Sequence, residues 1–136
     1  MLYLSKDIYN EIISHAEKSY PYEGCGVLVG RDKRVVKICP VENINKDRAN
    51  DRYEIDPKDL LRVEKGVSEK GLNVLGFFHS HPDHPDMPSE FDRQRAWQFY
   101  SYMIVSVHNG KSVSVKSWTF EDENEPFREE EVKIED

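Results

Sequence analysis

The chain reads as a single α/β or α+β domain, a mixed, largely antiparallel sheet flanked by helices. Three observations predict this. The 136 residues suit one domain, which at that size buries roughly two-thirds of its unfolded surface. Stretches with apolar residues at helical spacing alternate with short apolar runs of strand length. Turn signals separate those runs, among them Asn109-Gly110, a strong hairpin dipeptide.

The elements follow in order. Ser5 to about Ser19 reads as a helix with Ile8, Ile12, Ile13 and Ala16 on one face, Asp7 in its first turn and Pro21 beyond its end. Gly24–Gly30 and Lys33–Cys39 read as a hairpin around Arg31-Asp32. Residues 41–51 are polar and form a loop, and Arg52–Ile55 is a short strand. Asp56 caps a second helix, Pro57 is its first residue, and Gly71 closes it after about Lys70. Leu72–Phe78 is a buried strand, followed by a loop stiffened by Pro82, Pro85 and Pro88 that cannot continue a central strand. A third helix runs from Ser89 to about Phe99, and Ser101–Val107 pairs with Val113–Phe120. The domain is expected over residues 1–120. Residues 121–136 are a strongly acidic extension with a weak strand signal at Val132–Ile134, either solvated or pairing with a sheet edge.

Composition excludes several functions. The net charge of −7 argues against a nucleic-acid binder with a basic surface. No run reaches the 18 or so apolar residues of a membrane helix, and the first residues lack a basic region followed by an apolar core. A cytoplasmic protein with no membrane partner is expected. Its two cysteines, Cys25 and Cys39, have no C-x-x-C spacing and read as small buried hydrophobes rather than a disulfide.

The chemistry concentrates in His79-Ser80-His81-Pro82, Ser89 and Asp92. Residues two apart on a strand share a face, so His79 and His81 project together and Ser80 points away. Ser89 caps the next helix and Asp92 falls on its first turn, facing back toward the histidines. Two imidazoles and a carboxylate suit zinc, whose catalytic sites take three protein ligands and keep a fourth position for water. Each residue alone has a plainer reading: a packed or surface histidine, a capping aspartate. Two histidines held together without a metal, however, repel when protonated and leave nitrogens unsatisfied. Glu23, taken alone, is a solvated carboxylate at a helix-to-strand turn. His84 in the proline loop reads as solvated, and His15 and His108 have no evident partners.

His79-Ser80-His81-Pro82, six residues, then Ser89-Glu90-Phe91-Asp92 resembles the JAMM motif of MPN-domain metallopeptidases, H-[ST]-H-P-x6-S-x-x-D. Pro21-Tyr22-Glu23-Gly24 before an apolar run resembles that family's upstream glutamate segment, and residues 52–57 and 102–107 resemble its small prokaryotic branch. The resemblance covers about residues 3 to 120 and implies an MPN (JAB) domain, related in fold to cytidine deaminases. It implies zinc on His79, His81 and Asp92, Glu23 as general base, and Ser89 as hydrogen-bond donor to the developing oxyanion. The implied substrate is a ubiquitin-like or sulfur-carrier protein cleaved after a C-terminal Gly-Gly, and this short chain lacks the insertions of polyubiquitin-specific relatives. An extended Gly-Gly tail can add as a strand to a sheet edge, with 41–51 and 83–88 as channel walls and Arg48 and Arg52 available for carboxylates. Two alternatives stay open, a zinc amidohydrolase on a small-molecule amide and a non-catalytic MPN binding module; a homodimer also stays open. A nucleobase deaminase would need H-x-E together with P-C-x-x-C, and a zincin H-E-x-x-H; His15-Ala16-Glu17 is an H-x-E, but neither P-C-x-x-C nor H-E-x-x-H occurs.

Overall fold

The computed structural model describes residues 1–135; Asp136, the last residue of the acidic extension, lies outside them. The chain runs β1 (Leu2–Ser5), α1 (Lys6–Ser19), β2 (Cys25–Arg31), β3 (Arg34–Val41), α2 (Pro57–Ser68), β4 (Asn73–Pro82), α3 (Glu90–Arg95), β5 (Ser101–His108), β6 (Lys111–Thr119), β7 (Arg128–Glu130) and β8 (Val132–Glu135). The strands form one mixed sheet in the order β7-β6-β5-β4-β2-β3-β1-β8. β4–β5, β1–β3 and β1–β8 are parallel, and the other pairings are antiparallel.

Local chemistry sets the helix ends. The Ser5 hydroxyl accepts the Ile8 N–H at 3.1 Å, and the Asp56 carboxylate accepts the Lys58 N–H at 2.9 Å ahead of Pro57, each satisfying an otherwise orphaned helix donor. The first hairpin turns at Asp32 and Lys33 (φ 53° and 64°), one residue beyond the expected Arg31-Asp32. The second turns at Asn109 and Gly110 (φ 51° and 84°). Two consecutive left-handed residues match the twist of the strands they join.

Alternation along each strand divides the core. Leu28, Phe78, Met103 and Val105 pack on one face with Ile12 and Ala16 of α1. Val27, Val29, Phe77 and Tyr102 pack on the other with Leu60, Val63 and Val67 of α2. Full burial of a side chain such as Phe78 contributes about 1.5–3 kcal/mol. Gly26 is required there, because a Cβ would run into the Phe78 ring.

Beyond the shifted turn of the first hairpin, the structure differs from expectation in four larger places. β1 is a strand that the sequence pattern is too short to reveal. β4 continues through Pro82, which pairs with Val107 as the last strand residue, where a missing N–H does no harm. Arg52–Ile55 is not a strand: only Ile55 bridges, to Asn43, while the Asn43 side chain takes the Arg52 carbonyl and the Glu54 N–H and the Glu54 carbonyl accepts the Ile44 N–H. α3 stops at Arg95 rather than near Phe99. Trp97 turns its N–H to the Tyr102 hydroxyl at 2.8 Å, and Phe99, at φ 71°, gives its N–H to the Phe120 carbonyl at 2.8 Å, so tertiary contacts pull the chain out of the helix.

The acidic extension pairs with edges. β7 adds to β6 and β8 adds to β1, with only Glu131 between them. One segment therefore occupies both ends of the strand order, and the sheet curls until its edges meet. Leu2 N–H donates to the Glu131 carbonyl at 2.8 Å at this seam. Beside it, buried Glu130 accepts from Lys33 Nζ at 3.1 Å and from the Ser117 hydroxyl at 2.7 Å. Burial alone would raise this carboxyl, but hydrogen bonds from Ser101 and Ser117 and the Lys33 charge hold it below the ordinary glutamate range. A carboxyl depressed in the folded state stabilises above its unfolded pKa of about 4.3 and loses that contribution as pH falls. Glu130→Gln is therefore expected to destabilise by about 1–3 kcal/mol at pH 7 in urea unfolding, and by much less at pH 3. An equal loss at both pH values would remove the charge from the explanation.

Candidate metal centre

β4 carries His79 and His81 two residues apart on the α2 face, and Ser80 between them on the other. Ser89 is the N-cap of α3 and Asp92 its third residue. They form a reciprocal cap: the Ser89 hydroxyl accepts the Asp92 N–H at 3.0 Å, and Asp92 Oδ2 accepts the Ser89 N–H at 2.9 Å. That same Oδ2 lies 3.1 Å from His81 Nε2 and 3.3 Å from His79 Nε2, and the two Nε2 atoms are 3.1 Å apart. Glu23, on the connection from α1 to β2, completes the group. One donor atom from each of Glu23, His79, His81 and Asp92 lies within 4.8 Å of the others, and all four residues are buried.

The donor set fits a cation. His81 Nδ1 is 2.8 Å from the Pro85 carbonyl, which can only accept, so Nδ1 carries the proton and Nε2 turns its lone pair inward. The His81 lone pair and the Asp92 carboxylate then face His79 Nε2 in a buried space, and with the His79 proton on Nδ1 all three groups would offer lone pairs to one cation. Glu23 Oε1 and His79 Nδ1 are buried without a hydrogen-bond partner, and each such group costs about 1–3 kcal/mol. Two nitrogens and one oxygen at this spacing suit zinc with a position left open. Burial pushes the Glu23 carboxyl up to about 8, and the Asp92 and Asp51 charges push the same way against His81. Asp92 goes in the opposite direction: burial alone would raise it, yet His79, His81 and the Ser89 N–H hold it far below the carboxylate range.

Ser80, pointing away from the cluster, holds the neighbour of Glu23. Its hydroxyl accepts the Gly24 N–H at 2.9 Å and its N–H donates to the Gly24 carbonyl at 3.0 Å. Cys25 is fully buried and its thiol is pushed up to about 12 by burial, which makes it no nucleophile. Both cysteines are free thiols. His15 packs edge-on against Phe78. His84 and His108 are exposed. Arg48 is paired with Asp51, and Arg52 lies over the Phe91 ring at 4.3 Å.

The sequence assigns no role to three participants, although Tyr53 falls in the 52–57 segment that carries part of the resemblance. Tyr53 stacks on His79 with ring centroids 4.3 Å apart. The Pro85 carbonyl orients His81. A groove of about 350 Å³ opens at Asp92 between Tyr53, Ile55, Leu60, Leu61, Phe77 and Trp97. Neither 41–51 nor 83–88 lines this groove. The second loop is held down on the sheet, with the Ser106 hydroxyl on the His84 carbonyl at 2.5 Å and the Trp118 indole N–H on the Asp86 carbonyl at 2.9 Å. The outer strands are also set back from the cluster. β4 is the third strand from β7, about 14 Å at the usual strand spacing.

Zinc at 100 times its Kd is expected to add about 2.7 kcal/mol of stability, seen as a rise in unfolding temperature that His81→Ala abolishes. A rise of the same size in His81→Ala would take that residue out of the ligand set.

Residues 5–121 match the family described as prokaryotic homologs of the JAB domain. The chain is similar to a desampylase of Haloferax volcanii, 36% identical over 98% of this chain and 96% of that protein. A probable TtuB-protein conjugate cleaving protease of Thermus thermophilus is 32% identical over 79% of this chain and 71% of its own. A solution structure from Desulfitobacterium hafniense superposes with a TM-score of 0.84 at 31% identity, covering 99% of this chain and 93% of that one. The JAMM-like spacing of the sequence, its JAB-type fold and a match along nearly the whole chain agree: this protein belongs to the prokaryotic JAB-domain family.

Proposed function

We propose that the protein is a zinc-dependent JAMM-type metallopeptidase that cleaves after the C-terminal Gly-Gly of a ubiquitin-like or sulfur-carrier protein. The observation that carries this is the convergence of Glu23 on His79, His81 and Asp92, in a chain whose full-length relatives are named desampylase and conjugate cleaving protease. His79, His81 and Asp92 hold the metal. When bound, zinc supplies a Lewis acid and lowers the pKa of water toward ~7. Glu23 takes the proton of the attacking water and returns it to the leaving amine. Burial raises its carboxyl above the ordinary glutamate range, the direction that suits a group that must both take and return a proton. Ser89 uses its hydroxyl lone pair for the α3 cap. The hydroxyl proton is left to donate to the oxyanion, so the two roles do not compete.

The substrate assignment is supported by the crowding around the cluster. Tyr53 covers His79, and a residue without a side chain suits so crowded an approach. The apolar groove beyond it offers a wall for the residues preceding the diglycine. We place the enzyme in the cytoplasm, in keeping with its two free thiols; no described helix is long and apolar enough to cross a membrane.

The test is cleavage, by zinc-loaded protein, of the host's small ubiquitin-like proteins extended past Gly-Gly. Glu23→Gln is expected to keep its zinc and lose about 10²- to 10⁴-fold in kcat; wild-type turnover in that variant would show that another group is the base. Ser89→Ala is expected to lower kcat by about 10²- to 10³-fold with KM little changed, the pattern of a contact made chiefly in the transition state. A loss confined to KM would assign Ser89 to ground-state binding instead.

A further inference from the structure

Glu23 lies on a connection, not within a strand, so its place beside the histidines depends on what holds its main chain. Its N–H donates to the Ala49 carbonyl at 2.6 Å. Its carbonyl accepts from Asn43 Nδ2 at 3.1 Å, and the same nitrogen donates to the Arg52 carbonyl at 2.9 Å. On the other side of that amide, Asn43 Oδ1 accepts the Asn45 N–H at 3.0 Å and the Glu54 N–H at 3.1 Å. All four hydrogen-bonding capacities of one half-buried side chain are used. Arg52 immediately precedes Tyr53, the residue stacked on His79. Asn43 therefore ties the backbone that carries Glu23 to the backbone that carries Tyr53.

We infer that Asn43 is a positioning residue, which sets the reach of the Glu23 carboxylate toward the His79, His81 and Asp92 cluster by joining the Glu23 carbonyl to the 52–54 segment. The inference rests on the proposed role of Glu23 as general base. Ser80 secures the following residue, Gly24, from the opposite side, and the Glu23 N–H keeps Ala49, so loss of Asn43 releases the Glu23 carbonyl from the 52–54 segment and lets that peptide turn. A base that must meet a proton at hydrogen-bond distance tolerates little displacement, and an error of about 1 Å can cost 10²-fold in rate.

Asn43→Asp keeps the acceptor used by Asn45 and Glu54 and removes both donations. In zinc-loaded protein acting on a Gly-Gly fusion, it is expected to lower kcat about 10- to 100-fold, with KM and zinc affinity, measured by chelator competition, within about twofold of wild type. In a Glu23→Gln background the same change is expected to lower the residual rate less than about twofold, because the group it positions is already gone. Asn43→Ser serves if the aspartate variant does not fold. Equal losses in both backgrounds, a wild-type kcat, or unfolding of both variants would each overturn the inference and leave Asn43 a structural residue. An inactive wild type would overturn the peptidase reading itself, and this inference with it.

Discussion

Cys25 pairs with His79 across the antiparallel ladder of β2 and β4, and much of the site follows from that pairing. Continuing the count outward sets Gly24 against Ser80 and Glu23 against His81. The side-chain period of a strand is two, so a slip of one residue would turn both histidines into the α1 face and bring Ser80 into the site. The register shift between Leu28 and Val29 and the Phe78 ring over Gly26 oppose such a slip. The apolar core thus does chemical work: it decides which face of β4 carries nitrogen.

Asp92 joins a second level of structure to the same cluster. One oxygen, Oδ2, closes the cap of α3 and faces both imidazoles. Folding the first turn of a six-residue helix and completing the ligand set are therefore one event. So short a helix has little stability of its own, and a cation shared with β4 would anchor it to the sheet.

The parts of this arrangement that were legible in the sequence are the local ones. Ser5, the Asp56-Pro57 pair and Ser89 announce helix starts because a cap acts within three residues. His79 and His81 declare a shared face because alternation is a property of the strand alone. Asn43 gave no sign: its partners Glu23 and Arg52 lie 20 and 9 residues away, and an asparagine in a polar loop looks like any other. The early end of α3 was equally hidden, since Trp97 and Phe99 leave the helix for Tyr102 and Phe120. β1 and β8 are four-residue strands formed by distant pairing, β1 between β3 and β8, and β8 on β1.

That last pairing gives the molecule a mechanical character. β1 and β8 run parallel, with Leu2 to Ser5 set beside Val132 to Glu135. Tension drawn outward through Leu2 and Glu135 acts along these strands in opposite directions, so it loads all four residue pairs together in shear instead of unzipping them one at a time. The rate at which a strained protein gives way is governed by its unfolding barrier rather than by its equilibrium stability. A pull transmitted through either strand meets that barrier before it reaches β4, which holds both histidines.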